Sequence, residues 1–257
     1  MQGYESFKQK VLNKTGIDLS LYKEKQMKRR LSSLAKRNGF DDFESYYKGI
    51  STNKELFEEF VNYMTINVSE FYRNPEQWKV LEDDVIPKLL SKKKQLRVWS
   101  AACSTGEEPY SMVMLLSNFM PLDQIKIYAT DLDEQAIEKA KRGQYTEKSL
   151  KNLPNNFIRD YFDKKGGIYE IKETIKKRVE FKRHNLLSDR YMDRCDLIVC
   201  RNVLIYFTEE AKSEIYTKFS RSLEKEGYLF VGSTEQIIMP SKYNLKALKT
   251  FFYGRIE

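Results

Sequence analysis

The sequence predicts an α/β fold with a Rossmann-like, mostly parallel sheet. A short apolar run at 96–99 leads through small residues into a helical pattern at about 109–119, the strand–turn–helix order of such folds. A second apolar run, 125–131, ends on an acidic residue, and strand and helix patterns alternate again over 195–231. Because parallel strands place their loops at one edge, a ligand is expected at the carboxyl ends of these runs.

The bulk composition limits the class of protein. With 257 residues and 41% hydrophobic content, the chain can bury a sizeable core. No apolar run approaches the roughly 18 residues of a membrane span, and no signal-peptide core begins the chain, so a soluble cytoplasmic protein is expected. Cys103, Cys195, Cys200 and the single histidine lack the spacing of a disulfide framework or a zinc site, so no metal is expected.

Positive charge is concentrated near the N-terminus. The formal net charge is +8, and residues 1–50 hold eleven Lys and Arg against six Asp and Glu. Such a field suits nucleic acid, an anionic membrane or an acidic protein, and charge alone does not choose among them.

Residues 1–64 show the pattern of a small helical domain. A helix over 24–37 has one apolar face, and Lys25, Arg29 and Lys36 lie together on another face, here termed the basic ridge. Two further helical patterns follow before residue 64. The basic ridge suits an acidic partner, although a merely solvated surface would look the same.

Residues 65–76 interrupt the helical period and predict a linker that contributes to the active site. Asn67, Ser69 and Arg73 bring polar groups to alternate positions before Asn74-Pro75 begins a new helix. Judged by itself, the segment could equally be a helix cap and a loop. The remaining residues, 77–257, form the second predicted domain.

The loop after the first strand has the composition of a ligand-binding turn. Small residues such as Ala101 and Gly106 would let a ligand approach the backbone closely. The alternative is an ordinary tight turn, because the G-x-G-x-x-G fingerprint is absent. Glu107 and Glu108 then open a helix, where the helix dipole favours a carboxylate whatever its function.

The second strand ends on Asp131, which follows Gly106 by 25 residues. A carboxylate at this strand tip is placed to accept hydrogen bonds from both ribose hydroxyls of an adenosyl ligand. The alternative is a helix N-cap, a role that Asp133 could fill without Asp131.

The strand and helix alternation is interrupted at about 160–183. Gly166-Gly167 is typical of a turn, and short extended runs follow at 168–171 and 177–183. This pattern predicts a small antiparallel β-subdomain, whose exposed edge could accept a strand from a partner peptide.

Two asparagines follow later strands. Asn185 comes after a strand that ends near Lys182, and Asn202 follows the strand at 195–200, so both lie on the same sheet edge as Asp131. A carboxamide is both donor and acceptor, which suits an adenine edge or an amino-acid group. Each asparagine alone could be a turn residue.

Taken together, five segments resemble the CheR family of chemotaxis receptor methyltransferases. They are TINVSEFYR at 65–73, WSAACSTGEEPYSM at 99–112, ATDLD at 129–133, RHNLL at 183–187 and CRNVLIYF at 200–207. The resemblance covers nearly the whole chain, and the length and order of the motifs make it specific. The chain departs from the family pattern at Ser69 and Tyr72, where the family has Thr and Phe.

The resemblance implies a class I S-adenosylmethionine-dependent methyltransferase fold, with S-adenosylhomocysteine as the product of the cofactor. It implies methyl transfer to glutamate carboxylates in the cytoplasmic helical region of methyl-accepting chemotaxis receptors. It also implies a receptor tethering peptide as a partner of the β-subdomain. A monomer is expected, with no nucleic-acid partner and no direct membrane insertion.

The same resemblance implies the site residues. On chemical grounds Arg73 could bind the acceptor carboxylate through its planar guanidinium and Tyr206 could hydrogen-bond to it, although Tyr206 could equally be a core residue. The cofactor-binding residues would be Asn67, Ser69, Arg73, Ala101, Gly106, Glu107, Glu108, Asp131, Leu132, Asn185, Leu186, Asn202 and Val203. Asn185 would lie near adenine and Asn202 near the methionine portion. Because Ser100 stands where related folds place an acid, Glu107 or Glu108 would hold the ammonium group of the cofactor.

Two other functions remain open at the level of sequence. A nucleic-acid methyltransferase fits the charge, but residues 202–205 lack the Pro-Pro-Tyr that stacks a flipped base, and no proline precedes Cys200. A non-catalytic adenosyl-binding signalling module would carry the same binding residues. Only a methyl-transfer assay separates that module from an enzyme.

Overall fold

The structure, a computed structural model, describes residues 1–256 and begins with four helices. They are α1 (Tyr4–Thr15), α2 (Glu24–Arg37), α3 (Phe43–Thr52) and α4 (Lys54–Thr65). Their apolar faces meet at an aromatic cluster, in which the ring centroid of Phe7 lies 5.0 Å from that of Phe43 and 5.9 Å from that of Phe60. Aromatic rings each bury a large apolar area, which suits the core of such a small domain. The helix predicted over 24–37 has those bounds in the structure.

A linker without helix or strand spans residues 66–74. Ile66, Tyr72 and Asn74 adopt left-handed backbone conformations, with φ of 53°, 49° and 58°. This conformation is uncommon for residues that carry a side chain, and it persists only where the surroundings hold it. One continuous helical segment follows, made of α5 (Pro75–Val80), a π-helical turn (Leu81–Val85) and α6 (Ile86–Leu90).

The second domain is built on a seven-stranded sheet. Its elements along the chain are β1 (Val98–Ala101), α7 (Glu107–Leu116), β2 (Ile127–Asp131), α8 (Glu134–Arg142), β3 (Gln144–Thr146), α9 (Asn155–Tyr161), β4 (Phe162–Lys165), β5 (Ile168–Ile171), α10 (Glu173–Lys176), β6 (Val179–Arg183), β7 (Cys195–Cys200), α11 (Glu209–Ser222), β8 (Leu223–Val231), β9 (Leu245–Lys249) and β10 (Phe252–Arg255). The sheet order is β6-β2-β1-β7-β8-β10-β9, and the first five of these strands are parallel. Strands β1 and β7 are buried along their whole length, as expected for central parallel strands. The predicted Rossmann-like, mostly parallel sheet is therefore confirmed.

A second, three-stranded antiparallel sheet has the order β3-β5-β4. Strands β4 and β5 form a hairpin around the expected turn at Gly166-Gly167; the strand at 168–171 was expected, but its partner at 162–165 was not. The expected limits of 160–183 are wrong at both ends, because residues 144–146 join this small sheet as β3 and residues 179–183 pair in parallel with β2 in the large sheet. The partner of β6 lies about fifty residues earlier in the chain, so the local sequence pattern does not reveal which sheet it joins.

The chain ends in an antiparallel hairpin. Strands β9 and β10 form this hairpin, and Phe251 lies in the turn between them with a left-handed φ of 67°. Strand β10 pairs with β8 inside the sheet, so β9 occupies the edge.

The helical domain packs against the loop that follows β7. The backbone N–H of Lys23 donates to the carbonyl of Tyr206 at 2.9 Å. The rings of Tyr22 and Phe207 meet edge to face with centroids 4.9 Å apart. These contacts hold the helical domain over the carboxyl edge of the sheet. Within residues 1–256, every helix is too short or too polar to cross a membrane.

Candidate functional site

A cavity lies at the carboxyl edge of the sheet, between the loops after β1, β2, β6 and β7, the linker and the helical domain. Residues expected from the sequence to form the site line it: Asn67, Ser69, Arg73, Glu108, Asp131, Leu132, Asn185, Leu186, Asn202, Val203 and Tyr206. Residues without a predicted role also line it: Tyr22, Met64, Thr65, Ile66, Val68, Glu70, Ala102, Cys103, Ser104, His184, Arg201 and Phe207. Ala101, Gly106 and Glu107 do not line the cavity.

Gly106 serves the packing of the loop rather than the approach of a ligand. Its φ is 94°, and a Cβ atom there would lie 2.8 Å from the Cβ of Ala140 and 3.0 Å from the hydroxyl of Tyr145. A side chain at this position would therefore collide with α8 and the small sheet. Ala101 is buried within β1, and the next residue, Ala102, is the one that reaches the cavity, with a left-handed φ of 66°.

The Asp131 carboxylate is buried at the tip of β2. It accepts hydrogen bonds from the backbone N–H of Ser104 at 2.7 Å and of Asp133 at 2.9 Å. Burial raises the pKa of Asp131 to about 6, and the two N–H donors oppose this rise. Each carboxylate oxygen can still accept a further hydrogen bond, so ribose hydroxyls could bind there.

Asp133, which the sequence offers only as a helix cap, also joins the two domains. Its Oδ1 accepts from the backbone N–H of Gln135 at 2.9 Å and so caps α8. Its Oδ2 accepts from three side chains of the helical domain and linker: Asn62 at 3.2 Å, Thr65 at 3.1 Å and Asn67 at 2.7 Å. Because Asp133 caps the helix, Asp131 is left free for a ligand.

Asn67 lines the cavity, but protein groups bind both ends of its amide. Its Nδ2 donates to Asp133, and its Oδ1 accepts from the hydroxyl of Ser104 at 3.0 Å. Ser104 in turn donates its backbone N–H to Asp131. The side chain of Asn67 therefore positions the loop that surrounds the Asp131 carboxylate.

The two glutamates at the start of α7 point to different places. The carboxylate of Glu107 is buried and accepts from the hydroxyl of Thr105 at 2.7 Å, and Ser69 also hydrogen-bonds to it. Burial raises the pKa of Glu107. Glu108 faces the cavity, and its Oε1 accepts from the hydroxyl of Ser100 at 2.8 Å. Of the two glutamates, Glu108 is thus the one available to a ligand.

Glu108 is an unusually basic carboxylate. Burial raises its pKa to about 7, and the nearby Arg201 guanidinium is the largest opposing influence. Nη1 of Arg201 lies 3.7 Å from Oε2 of Glu108. A cationic group of a ligand would stabilise the ionised form in the same way.

The loop after β7 is held by an acid that the sequence did not identify. Glu235 is buried and accepts from the backbone N–H groups of Asn202 at 2.6 Å, Leu204 at 2.7 Å and Gly232 at 2.9 Å. These bonds fix Asn202 in a left-handed conformation with φ of 61°. The available signal was an acid in a polar turn directly after β8. Oδ1 of Asn202 is buried without a hydrogen-bond partner.

Asn185 closes the opposite side of the cavity. Its Oδ1 accepts from the backbone N–H of Leu187 at 3.0 Å, and its own N–H donates to Asp189 at 2.8 Å. Asn185 therefore stabilises a turn, the alternative role considered for it above, and it also lines the cavity. Its neighbour His184 forms part of the same wall, and burial lowers the pKa of the imidazole.

These groups fit an adenosyl amino-acid ligand. Asp131 offers a carboxylate for ribose, Glu108 offers one for an ammonium group, and the unpaired Oδ1 of Asn202 belongs to a residue on the same wall. Burial raises the pKa of Asp131 and of Glu108, and carboxylates with raised pKa values that face a cavity are candidates for a functional site.

Comparison with known proteins gives the same assignment. Residues 67–252 match the family described as CheR methyltransferase, SAM binding domain, and residues 2–65 match the CheR methyltransferase all-alpha domain. A "Chemotaxis protein methyltransferase" of Listeria innocua is 44% identical over 251 residues, covering 97% of this chain and 96% of the relative. The proteins of the same name from Listeria monocytogenes (43%; 97% and 96% covered) and Borreliella burgdorferi (34%; 91% and 90% covered) are also similar.

The matched domain confirms S-adenosylmethionine, the cofactor expected from the sequence. The same match and the names of the relatives confirm the expected enzyme class, an S-adenosylmethionine-dependent methyltransferase. The two matched domains account for the helical region and for the domain that contains the large sheet. The chain belongs to the CheR methyltransferase family.

Proposed function

We propose that this protein transfers a methyl group from S-adenosylmethionine to glutamate side chains of methyl-accepting chemotaxis receptors, forming glutamate methyl esters. The observation that carries the proposal is one cavity that combines the buried carboxylate of Asp131 and the half-buried carboxylate of Glu108 with the guanidinium of Arg73. The carboxylates suit the cofactor, and the arginine suits a carboxylate acceptor. The name of the relatives, chemotaxis protein methyltransferase, supports the process in which the reaction takes part.

The cofactor would be held along the carboxyl edge of the sheet. We propose that Asp131 binds the ribose hydroxyls, Glu108 the ammonium group, Asn202 the methionine portion and Asn185 the adenine. When bound, S-adenosylmethionine supplies a methyl group on a positively charged sulfur, which a carboxylate oxygen can attack directly. Leu132, Leu186 and Val203 contribute apolar walls that exclude water from the cavity.

The acceptor would be held by Arg73 and Tyr206. Nη1 of Arg73 donates to the carbonyl of Val68 at 3.3 Å, which leaves other guanidinium N–H groups for an incoming carboxylate. A glutamate is already ionised at neutral pH, so these side chains need only orient it. Orientation of two reacting groups can by itself lower the barrier by several kcal/mol.

The receptor would dock against the helical domain. Lys25, Arg29 and Lys36 of the basic ridge are exposed on α2. Arg29 also borders a groove that it shares with Ile66 and Tyr206, so positive charge extends to the edge of the active site. A negatively charged helical surface of the receptor would be attracted to this side of the protein.

The small sheet offers a second contact for the receptor. Strand β4 is an edge strand, and its unpaired backbone groups could bind a tethering peptide as an added strand. The exposed residues Lys164 and Lys165 of β4 would favour a peptide with acidic residues.

We further propose that residues 65–76 act as an active-site linker between the helical domain (1–64) and the methyltransferase domain (77–257). The contacts of Asp133 with Thr65 and Asn67 support this division. A cytoplasmic monomer fits the free thiols of Cys103, Cys195 and Cys200, which suit a reducing compartment.

A nucleic-acid methyltransferase that attacks through cysteine gains no support from the site. Burial raises the pKa of the Cys200 thiol, so the thiolate that such an attack requires is disfavoured. The same is true of Cys103.

Labelled S-adenosylmethionine tests the proposed reaction. We expect label to be transferred to receptor-containing membranes and not to nucleic acid, and to leave as volatile methanol in mild alkali, because a glutamate methyl ester hydrolyses readily. Label that survives alkali would contradict a carboxylate acceptor. Cofactor binding without any transfer would indicate the non-catalytic module.

A further inference from the structure

Arg201 is a buried cation for which the sequence suggested no function. Its side chain is only 3% exposed and lies at the cavity wall between the linker and the sheet. The guanidinium packs over the rings of Phe230 at 4.7 Å and Trp78 at 5.7 Å. Burying a charge in this way is costly unless specific partners compensate it, so the contacts of Arg201 indicate what it does.

One end of the guanidinium binds the linker. Nη2 of Arg201 donates to the carbonyl of Arg73 at 2.6 Å, to Oδ1 of Asn74 at 3.2 Å and to Oε1 of Gln77 at 3.1 Å. The backbone of Arg73 and the start of α5 are thereby fixed to the end of β7. Arg201 thus fixes the backbone position from which the side chain of Arg73 extends.

The other end faces the cofactor side of the cavity. Nη1 of Arg201 lies 3.7 Å from Oε2 of Glu108. The remaining groups around Glu108 are the Ser100 hydroxyl, which donates to it, the charges of Arg73 and Glu235, and the thiols of Cys103 and Cys200. Glu235 disfavours a negative charge at Glu108, whereas the two thiols have raised pKa values and are neutral; Arg201 is the cation that favours the charge most.

We infer that Arg201 is a positioning residue that holds the linker at Arg73 and, through its fixed positive charge, keeps the Glu108 carboxylate ionised for the ammonium group of the cofactor. This inference rests on the cofactor-binding role proposed for Glu108. One side chain thus couples the placement of the acceptor-binding arginine to the charge that holds the cofactor.

The choice of arginine follows from its chemistry. A guanidinium does not lose its proton in proteins, so its charge persists when it is desolvated, whereas a buried lysine loses its proton more easily. The planar fork also directs two nitrogens in different directions, here toward the linker and toward Glu108. A lysine could supply the charge near Glu108 but not, at the same time, the hydrogen bonds to the linker.

The pH dependence of cofactor binding tests the electrostatic half of this inference. Because the pKa of Glu108 is about 7, the wild-type affinity for S-adenosylhomocysteine is expected to fall as pH decreases through that value. Arg201→Met removes an opposite charge within 4 Å of the carboxylate, so the midpoint should move to higher pH by about one to three pH units. Calorimetric titrations between pH 5.5 and 9 measure this shift.

Two variants separate charge from structure. Arg201→Lys retains the charge, so its midpoint should stay within about half a pH unit of wild type, while its kcat for receptor methylation should fall at least tenfold because the linker contacts are lost. Glu108→Gln should lose the step near pH 7 and keep only the step that Asp131, with a pKa of about 6, contributes at lower pH. If Arg201→Met does not fold, Arg201→Gln makes the same comparison, since it is also neutral and can still donate to the linker.

An Arg201→Met or Arg201→Gln protein that binds more weakly at every pH with an unchanged midpoint would overturn the electrostatic role. Wild-type kcat in Arg201→Lys would overturn the role at the linker. Retention of the wild-type midpoint in Glu108→Gln would overturn the Glu108 assignment and this inference with it. Because the binding titrations contain no receptor, they remain decisive even if the proposed glutamate acceptor is wrong.

Discussion

The clearest prediction concerns Asp133, whose two carboxylate oxygens have separate functions. Oδ1 caps α8 through Gln135 and Ala136, while Oδ2 accepts from Asn62, Thr65 and Asn67. Asp133→Asn can keep the cap, because asparagine is as good an N-cap as aspartate. It replaces Oδ2 by an amide donor, which faces three other donors. The substitution therefore removes the contact between the domains and leaves the helix cap in place.

The expected loss of stability follows from these contacts. Asp133 is 1% exposed, so the donors that lose this acceptor are partly desolvated, although the Thr65 hydroxyl can still donate to backbone carbonyls and the Asn67 amide to that hydroxyl. Hydrogen bonds to a charged group contribute about 1.5 to 3 kcal/mol each, and the three share one oxygen, so we expect a total of about 2 to 4 kcal/mol. For a chain of this size, each kcal/mol lowers Tm by about 2 to 4 °C. The Tm of Asp133→Asn should thus fall by roughly 5 to 15 °C.

Thermal unfolding and calorimetry check the prediction. Asp42→Asn is a matched control, because Asp42 caps α3 through the N–H of Ser45 and makes no contact with the linker. We expect wild-type Tm in the control. Affinity for S-adenosylhomocysteine should fall about tenfold in Asp133→Asn alone, since Asn67 no longer holds Ser104 beside Asp131. A Tm equal to wild type in Asp133→Asn, or an equal fall in both variants, would refute the reasoning.

Three further predictions follow from the site. Asp131→Ala should weaken binding of S-adenosylmethionine and S-adenosylhomocysteine alike by about 1.5 to 3 kcal/mol, because a ribose contact is common to both; unchanged affinity in calorimetry would remove Asp131 from the site. Reversal of Lys25, Arg29 and Lys36 to Glu should impair receptor methylation and leave cofactor affinity intact. Equal activity at low and high salt in both proteins would mean that the basic ridge is merely solvated. Arg73→Ala and Arg73→Lys should both reduce alkali-labile label strongly, because an ammonium group does not reproduce the bidentate grip of a guanidinium; full activity in Arg73→Ala would exclude that role.

The sequence alone determined the elements whose signals are local. Helix α2 and strand β7 were predicted with the bounds that the structure shows, because hydrophobic periodicity lies within each segment. The gathering of Asp131, Asn185 and Asn202 around one cavity was also predictable, since the carboxyl ends of parallel strands meet at one edge. Motif resemblance supplied the cofactor.

Only the tertiary structure decided which partners each segment takes. The segment of strand β6 was expected both within the antiparallel β-subdomain and, through Asn185, at the edge of the large sheet, and only the structure shows that it pairs with β2. Gly106 has the composition of a ligand-binding glycine, but its neighbours from α8 and the small sheet are what require it.

The roles of single charged side chains were decided in the same way. Glu107 and Glu108 are adjacent in the sequence, and the direction of each depends on the helix that carries them and on the packing around it. Arg201 finds its acceptors more than 120 residues away in the linker, and Asp133 finds its donors more than 60 residues away. Contacts over such separations form only when the domains are packed together, so no local pattern encodes them, and they decide which charges face the cofactor.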